Sequence, residues 1–260
     1  MQDIAFSGSI PENYDRGLGP VLFEPYALEV ASRLKGLKEG AVLEIACGSG
    51  RVTRQLRTAL AKNVRLVATD LSEGMVEHAK SISKGQIEWA QVDAQSLPYA
   101  DGEFDAVICQ FGLMFVPEKV QALQEFRRVL KPEGRAFCYV WDRIDRMPVQ
   151  ALQQKLLRAE FPENPPEFLD IPFSMYDPEA TAELFEEAGF TKVLIERVEK
   201  KAVIEDPHML AVGCILGNPV ANQIKERDPE APERLIARLE AQIRELPPHS
   251  MSALLVTASG

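Results

Sequence analysis

The sequence predicts an α/β fold: a seven-stranded, mostly parallel sheet with helices on both faces, one reversed edge strand and a helical lid. Three observations predict it. From residue 41 short apolar runs alternate with amphipathic stretches, the rhythm of a parallel sheet covered on both sides. The first of these runs ends in a loop of small residues, Ala46-Cys47-Gly48-Ser49-Gly50, that leads into a helix. The last two strand candidates are separated by about fifty residues of helical, proline-punctuated sequence, too long for a plain hairpin.

Taken in order, the first element is a helix over Val21 to Leu34, with Leu22, Tyr26, Val30 and Leu34 on one face at four-residue steps, expected to pack on the sheet edge. Strands follow at Ala41 to Ala46, Val64 to Thr69, Ile87 to Val92, Phe104 to Cys109 and Arg135 to Val140. Helices at Thr53 to Ala61, Glu73 to Ser81 and Lys119 to Leu130 lie between them. Beyond residue 141 the rhythm loosens into a proline-rich stretch, Phe161 to Pro172, before a helix over Pro178 to Ala188 that stops at Gly189. Lys192 to Lys200 and Met251 to Ala258 complete the sheet. Residues 1–260 thus read as a single domain with lid insertions at about 142–176 and 206–246, over the end of the sheet where such folds bind ligands.

The chain has 260 residues, 46% of them hydrophobic, which suits a globular core. Its formal net charge of -10 gives no broad positive field, so nucleic acid is not an expected partner. Cys47, Cys109, Cys138 and Cys214 lie far apart with no C-x-x-C pair, which reads as reduced thiols of a cytoplasmic protein. Met1 to Pro11 has no basic segment followed by an apolar stretch, and no run of about 18 apolar residues occurs, so no membrane insertion is expected.

The loop after the first strand is the most informative stretch. Glycines at 48 and 50 let the backbone turn tightly and approach a ligand that a β-carbon would hold off. The second strand ends at Asp70, 70 minus 50, or twenty, residues beyond the last glycine, where a carboxylate can accept both hydroxyls of a ribose. Asp70 also suits the N-cap of the following helix. A third acidic residue, Asp93, follows the third strand and precedes Ala94.

Together Glu44-Ile45-Ala46-Cys47-Gly48-Ser49-Gly50, Asp70-Leu71-Ser72-Glu73-Gly74-Met75, Asp93-Ala94 and Leu97-Pro98 resemble the Rossmann-like class I S-adenosylmethionine-dependent methyltransferases. The likeness covers roughly residues 40 to 140 and continues through Phe104 to Cys109 and Leu130-Lys131-Pro132-Glu133-Gly134. The resemblance implies S-adenosylmethionine as cofactor, with Ala46, Cys47, Gly48 and Gly50 lining its methionine portion and Glu44 helping to hold the ammonium. It implies Asp70 at the ribose, Leu71 and Met75 flanking the adenine, Asp93 accepting from the exocyclic amine, the backbone of Ala94 meeting the ring, and Gln110 beside the methionine chain. Ala46 stands where the family commonly has glycine. Arg51, directly after the loop, is either a contact for the cofactor carboxylate or a solvated residue at a helix start.

A nicotinamide-dependent oxidoreductase would also use a glycine loop and an acid after the second strand. Here the third fingerprint position falls on Thr53, too large for a pyrophosphate-binding turn, and no Tyr-x-x-x-Lys pair is present. A non-catalytic cofactor-binding protein remains the other alternative. The resemblance runs towards enzymes acting on quinone precursors and other small metabolites, and implies a small apolar or aromatic methyl acceptor. Asn/Asp-Pro-Pro-aromatic is absent after the fourth strand, where Cys109-Gln110-Phe111-Gly112 stands; Asn164-Pro165-Pro166-Glu167 reads as a loop. No metal site is expected. Tyr14, Phe111 and Phe115 are the acceptor-site candidates; Tyr14, His208 and His249 are the candidate catalytic groups, each histidine reading at least as well as a surface or capping residue.

Overall fold

The computed structural model describes residues 10–260; residues 1–9, most of the stretch read for a targeting signal, lie outside the described residues. Seven strands, β1 (Ala41–Ile45), β2 (Arg65–Asp70), β3 (Glu88–Gln91), β4 (Phe104–Gln110), β5 (Leu130–Trp141), β6 (Lys192–Lys201) and β7 (Ser250–Ser259), form one sheet in the order β3-β2-β1-β4-β5-β7-β6. β1 to β5 are parallel, and β7 runs antiparallel to both β5 and β6. The order reverses between β1 and β4, so the chain leaves these adjacent strands in opposite directions and a crevice opens at their carboxyl ends. Every residue of β1 is buried, as its unbroken apolar run requires of a central parallel strand.

The reversed strand corrects the sequence expectation, which put it at the edge. It is β7, inserted between β5 and β6. The physical reason lies in the side chains: Met251–Val256 are all buried, so this strand needs cover on both faces and both edges, whereas charged and exposed residues of β6 suit an edge.

The helices are α1 (Ile10–Asn13), α2 (Glu24–Arg33), α3 (Arg51–Ala59), α4 (Glu73–Ile82), α5 (Lys119–Val129), α6 (Pro148–Glu160), α7 (Pro178–Glu187), α8 (Pro207–Leu216), α9 (Val220–Arg227) and α10 (Ala231–Glu245). Their starts are written in the sequence. Ser72 accepts from the Met75 N–H at 3.3 Å, Asp177 from the Glu179 N–H at 2.9 Å, and Asp206 from the Met209 N–H at 3.0 Å. Pro178 and Pro207 occupy the first turn, where no N–H is needed.

The single helix expected over Val21 to Leu34 is a second correction. Tyr14–Phe23 forms a π-helical run that passes into α2. Gly17, Gly19 and Pro20 weaken regular α-helix there, and the wider turn is held by packing instead. α2 does reach the sheet edge, where Arg33 pairs with Glu196 of β6 at 2.8 Å, and it also extends inward over the sheet: Tyr26 packs edge-on against Phe111 and Trp141 and reaches Tyr139 of β5. The π run crosses α8 at glycines from both sides, since a β-carbon at Gly17 would come within 2.5 Å of Gly213 Cα. α10 packs against α8 and α6, so the two insertions form one helical layer beside the N-terminal segment.

Candidate functional site

The loop between β1 and α3 holds three left-handed residues at alternate positions, Ala46 (φ 54°), Gly48 (φ 54°) and Gly50 (φ 75°). Gly48 and Gly50 adopt this freely, while alanine bears a cost on the order of 1 kcal/mol. Gly112 makes room for the methyl of Ala46: a β-carbon at 112 would stand 2.3 Å from the Ala46 Cβ. Gly50 is required by packing, because its β-carbon would lie 2.9 Å from the Ala79 Cβ of α4. At Gly48 a β-carbon would meet nothing within 4 Å. The loop is thus tight against protein at Gly50 and open at Gly48.

Asp70, at the end of β2, accepts from the Gly48 N–H at 2.8 Å and from the Ser72 N–H at 2.9 Å, binding the two loops together. It is not the capping residue of α4, a role Ser72 takes. Burial raises its pKa, against the lowering effect of those N–H donors. Glu44 is buried within β1 with one carboxylate oxygen lacking a hydrogen-bond partner, and burial, with the charge of Asp70 adding to it, pushes its pKa up to about 8. Gln110 donates to the Phe23 carbonyl at 3.1 Å, and its amide oxygen is buried without a partner.

The other expected cofactor contacts surround this cradle unevenly. Cys47 is buried, its N–H donating to Thr69 O at 2.8 Å and its thiol pKa raised by burial, so it shapes the loop and is no nucleophile. Met75 is buried while Leu71 is exposed at the rim. Asp93 receives Gln95, from the backbone N–H at 2.9 Å and the side-chain amide at 3.1 Å, beside half-buried Ala94. Glu44 Oε2, Gln110 Oε1 and the open side of Gly48 provide unused polar atoms and backbone room, which fits an amino-acid-like ligand better than a bare apolar turn would.

The N-terminal segment closes over the cradle through contacts that the sequence did not disclose. Asp15 accepts from Ser49 Oγ at 2.7 Å, from Arg51 at 3.0 Å and from Arg54 at 3.1 Å; Arg51 also donates to Glu24 at 2.9 Å. Burial alone would raise the Asp15 carboxyl, yet Arg51, Ser49 and Arg54 outweigh it and hold the pKa below its ordinary value. Arg51 is therefore not a solvated residue; both terminal nitrogens are tied to the protein, while its Nε–H is buried without a partner. Tyr14 stacks on Phe23 at 4.8 Å, and burial together with the charges of Asp70 and Asp15 raises its pKa, so its phenol stays neutral.

Beside the cradle lies an apolar pocket lined by Tyr14, Phe23, Phe111, Phe115, Trp141 and Phe168, among others. Phe111 sits in the left-handed region (φ 57°), an uncommon conformation for a bulky residue. It is held by a 3.6 Å stack on Trp141 and by its N–H donating to Tyr139 O at 2.9 Å. Phe115 stacks on Phe168 at 6.0 Å. Among the described residues the lining carries no Asp, Glu, Lys or Arg. His208 pairs with Glu240 at 2.8 Å and His249 contacts Pro247 O at 3.0 Å; neither histidine lines this pocket. Trp141 and Gln150 are lining residues that sequence reasoning missed, though Trp141 ends β5 and its position there was a usable signal.

Comparison with known proteins decides the family. Residues 43–138 match the family model described as "Methyltransferase domain". The chain is 34% identical over 135 residues to the demethylmenaquinone methyltransferase of Staphylococcus carnosus, covering 50% of this chain and 56% of that one. It spans only about half the length of that curated relative. Against the demethylmenaquinone methyltransferase of Staphylococcus haemolyticus, identity is 32% over 203 residues, 72% of this chain and 84% of that protein. The chain belongs to the class I S-adenosylmethionine-dependent methyltransferases. Its kinship within them runs to the quinone-biosynthesis branch. The phosphoethanolamine N-methyltransferase 2 of Haemonchus contortus, solved with S-adenosylmethionine, shares the methyltransferase fold at a TM-score of 0.58 and 15% identity, over 96% of this chain and 56% of that one.

Proposed function

We propose that this methyltransferase binds S-adenosylmethionine in the cradle around Gly48 and transfers its methyl group to a small, neutral, aromatic acceptor in the pocket lined by Phe111. The observation that carries this reading is the junction at the end of β4. Gln110 offers an unpartnered amide oxygen beside the glycine loop, and the next residue, Phe111, is a wall of the aromatic pocket. Tyr14 bridges the two, feeling the charge of Asp70 and lining the pocket.

The cofactor supplies a methyl group already activated on a sulfonium. What the chain must add is alignment and the exclusion of water. Glu44 supports the cradle as an anionic partner for an ammonium, Asp70 as an acceptor for ribose hydroxyls, and Asp93 with Ala94 as the adenine end. The Asp15 ties hold the N-terminal segment down, and α6 with α8 to α10 serves as a lid. Tyr14, neutral, is a hydrogen-bond donor rather than a base. An acceptor bearing an ammonium would lose its hydration with no carboxylate among the described lining residues to compensate, which favours a neutral ring. The quinone-branch relatives support the same acceptor class.

The test is titration calorimetry with S-adenosylmethionine and, in parallel, with NAD, followed by chromatography for S-adenosylhomocysteine with and without a panel of hydroxylated aromatics. The expected result is binding of S-adenosylmethionine alone, with turnover that depends on an aromatic acceptor. Binding without turnover on any acceptor would make the protein a cofactor-holding module instead.

A further inference from the structure

We infer that Gln150 recognises a hydroxyl group on the acceptor, so that the pocket selects a hydroxylated aromatic ring over the bare hydrocarbon. This rests on the reading of the aromatic pocket as the acceptor site. Gln150 lines that pocket, is 5% exposed, and its amide oxygen is buried without a hydrogen-bond partner. A buried amide oxygen left unpaired costs about 1–3 kcal/mol, so one kept against an apolar pocket points to a partner that arrives with the ligand.

The local structure explains why the oxygen is free. Gln150 is the third residue of α6, where a glutamine side chain commonly turns back to the N–H of the capping residue. That N–H, on Met147, already donates to Ile144 O at 2.9 Å through the short turn before the helix. The other amide side chains of the described lining are tied to the protein: Gln153 donates to Cys214 O at 2.7 Å, and Asn218 donates to the same carbonyl at 3.1 Å while accepting from the Val220 N–H at 3.1 Å. Gln150 is left as the amide that can read the ligand. A hydroxyl suits it in either orientation of the amide, donating to the oxygen or accepting from the nitrogen. A charged amine does not suit a lining whose described residues include no carboxylate.

The experiment measures the affinities of 1-naphthol and 1-methylnaphthalene for the protein saturated with S-adenosylhomocysteine, which blocks turnover. In Gln150→Leu the affinity ratio, naphthol over methylnaphthalene, should fall about tenfold, with S-adenosylhomocysteine affinity unchanged. Gln150→Met gives the same reading if the leucine variant does not fold. An unchanged ratio in a folded variant overturns the role of Gln150 while leaving the acceptor pocket standing. If neither probe binds to wild-type protein that still takes S-adenosylhomocysteine, the pocket itself is misassigned and the role falls with it.

Discussion

Ser49 and Asp15, far apart in sequence, are joined by a 2.7 Å hydrogen bond in which the serine hydroxyl donates to the carboxylate. Through it the glycine loop and the N-terminal π-helical run become one unit, reinforced by Arg51 and Arg54 on the same oxygen.

Removing that carboxylate should loosen both parts. Asp15→Ala leaves two largely buried guanidinium groups short of a partner, and a loss of about 2–4 kcal/mol in unfolding free energy is expected from urea titration. Because the Asp15 pKa is depressed in the folded protein, its contribution is present above the ordinary carboxylate range and is lost as pH falls through the lowered value. The stability difference between wild type and Asp15→Ala should therefore hold at neutral pH and shrink as pH falls from the ordinary carboxylate range through the lowered value.

Glu44 has the opposite sign. Its folded pKa, about 8, lies above that of the unfolded chain, so the native state holds a proton the unfolded state has lost and its stability falls as pH rises between the two values. Glu44→Gln should flatten that decline. If the carboxylate ionises to meet the ligand's ammonium, calorimetry in buffers of different ionisation enthalpy at pH 7 should show release of about one proton by Glu44 on S-adenosylmethionine binding, absent in the variant.

Asp70→Ala should weaken S-adenosylmethionine binding by about 1.5–3 kcal/mol, the range for losing charge-assisted hydrogen bonds. The Gly48 and Ser72 N–H groups lose their acceptor at the same time. Calorimetry showing unchanged affinity would remove Asp70 from the ribose site.

Two glycines should separate folding from binding. Gly48→Val places its side chain in open space, so the protein should fold with a penalty of about 1–2 kcal/mol for the left-handed backbone and yet fail to bind S-adenosylmethionine. Gly112→Ala drives a methyl onto Ala46 and should lower the melting temperature instead. Thermal melts with and without ligand distinguish the pair.

The parallel half of the fold was legible because β1, β2 and β4 are short, largely apolar runs followed by turn signals, and because Gly48, Gly50 and Asp70 carry their reasons in their chemistry. The π-helical run was not, since an apolar stretch interrupted by Gly17, Gly19 and Pro20 shows the same periodicity whichever way its backbone winds. The place of β7 was written in the contrast between unbroken Met251–Val256 and alternating Lys192–Lys201, but strand order is a tertiary property that periodicity alone does not reach. Gln150 was silent because a lone amide on an amphipathic helix reads as a solvated position until the helix has a neighbour. Asp15 was silent for the same reason: nothing near it in sequence announces Ser49 or Arg54.

The interposed β7 also sets an order of assembly. β6 pairs along its whole length with β7, Lys192 opposite Ser259 and Lys201 opposite Ser250, so during synthesis it must wait unpaired until β7 emerges. Such non-local closure is slow and leaves a strand edge open to other chains. The charged residues Lys192, Glu196, Arg197, Glu199, Lys200 and Lys201 guard that edge against aggregation while the ribosome supplies its partner.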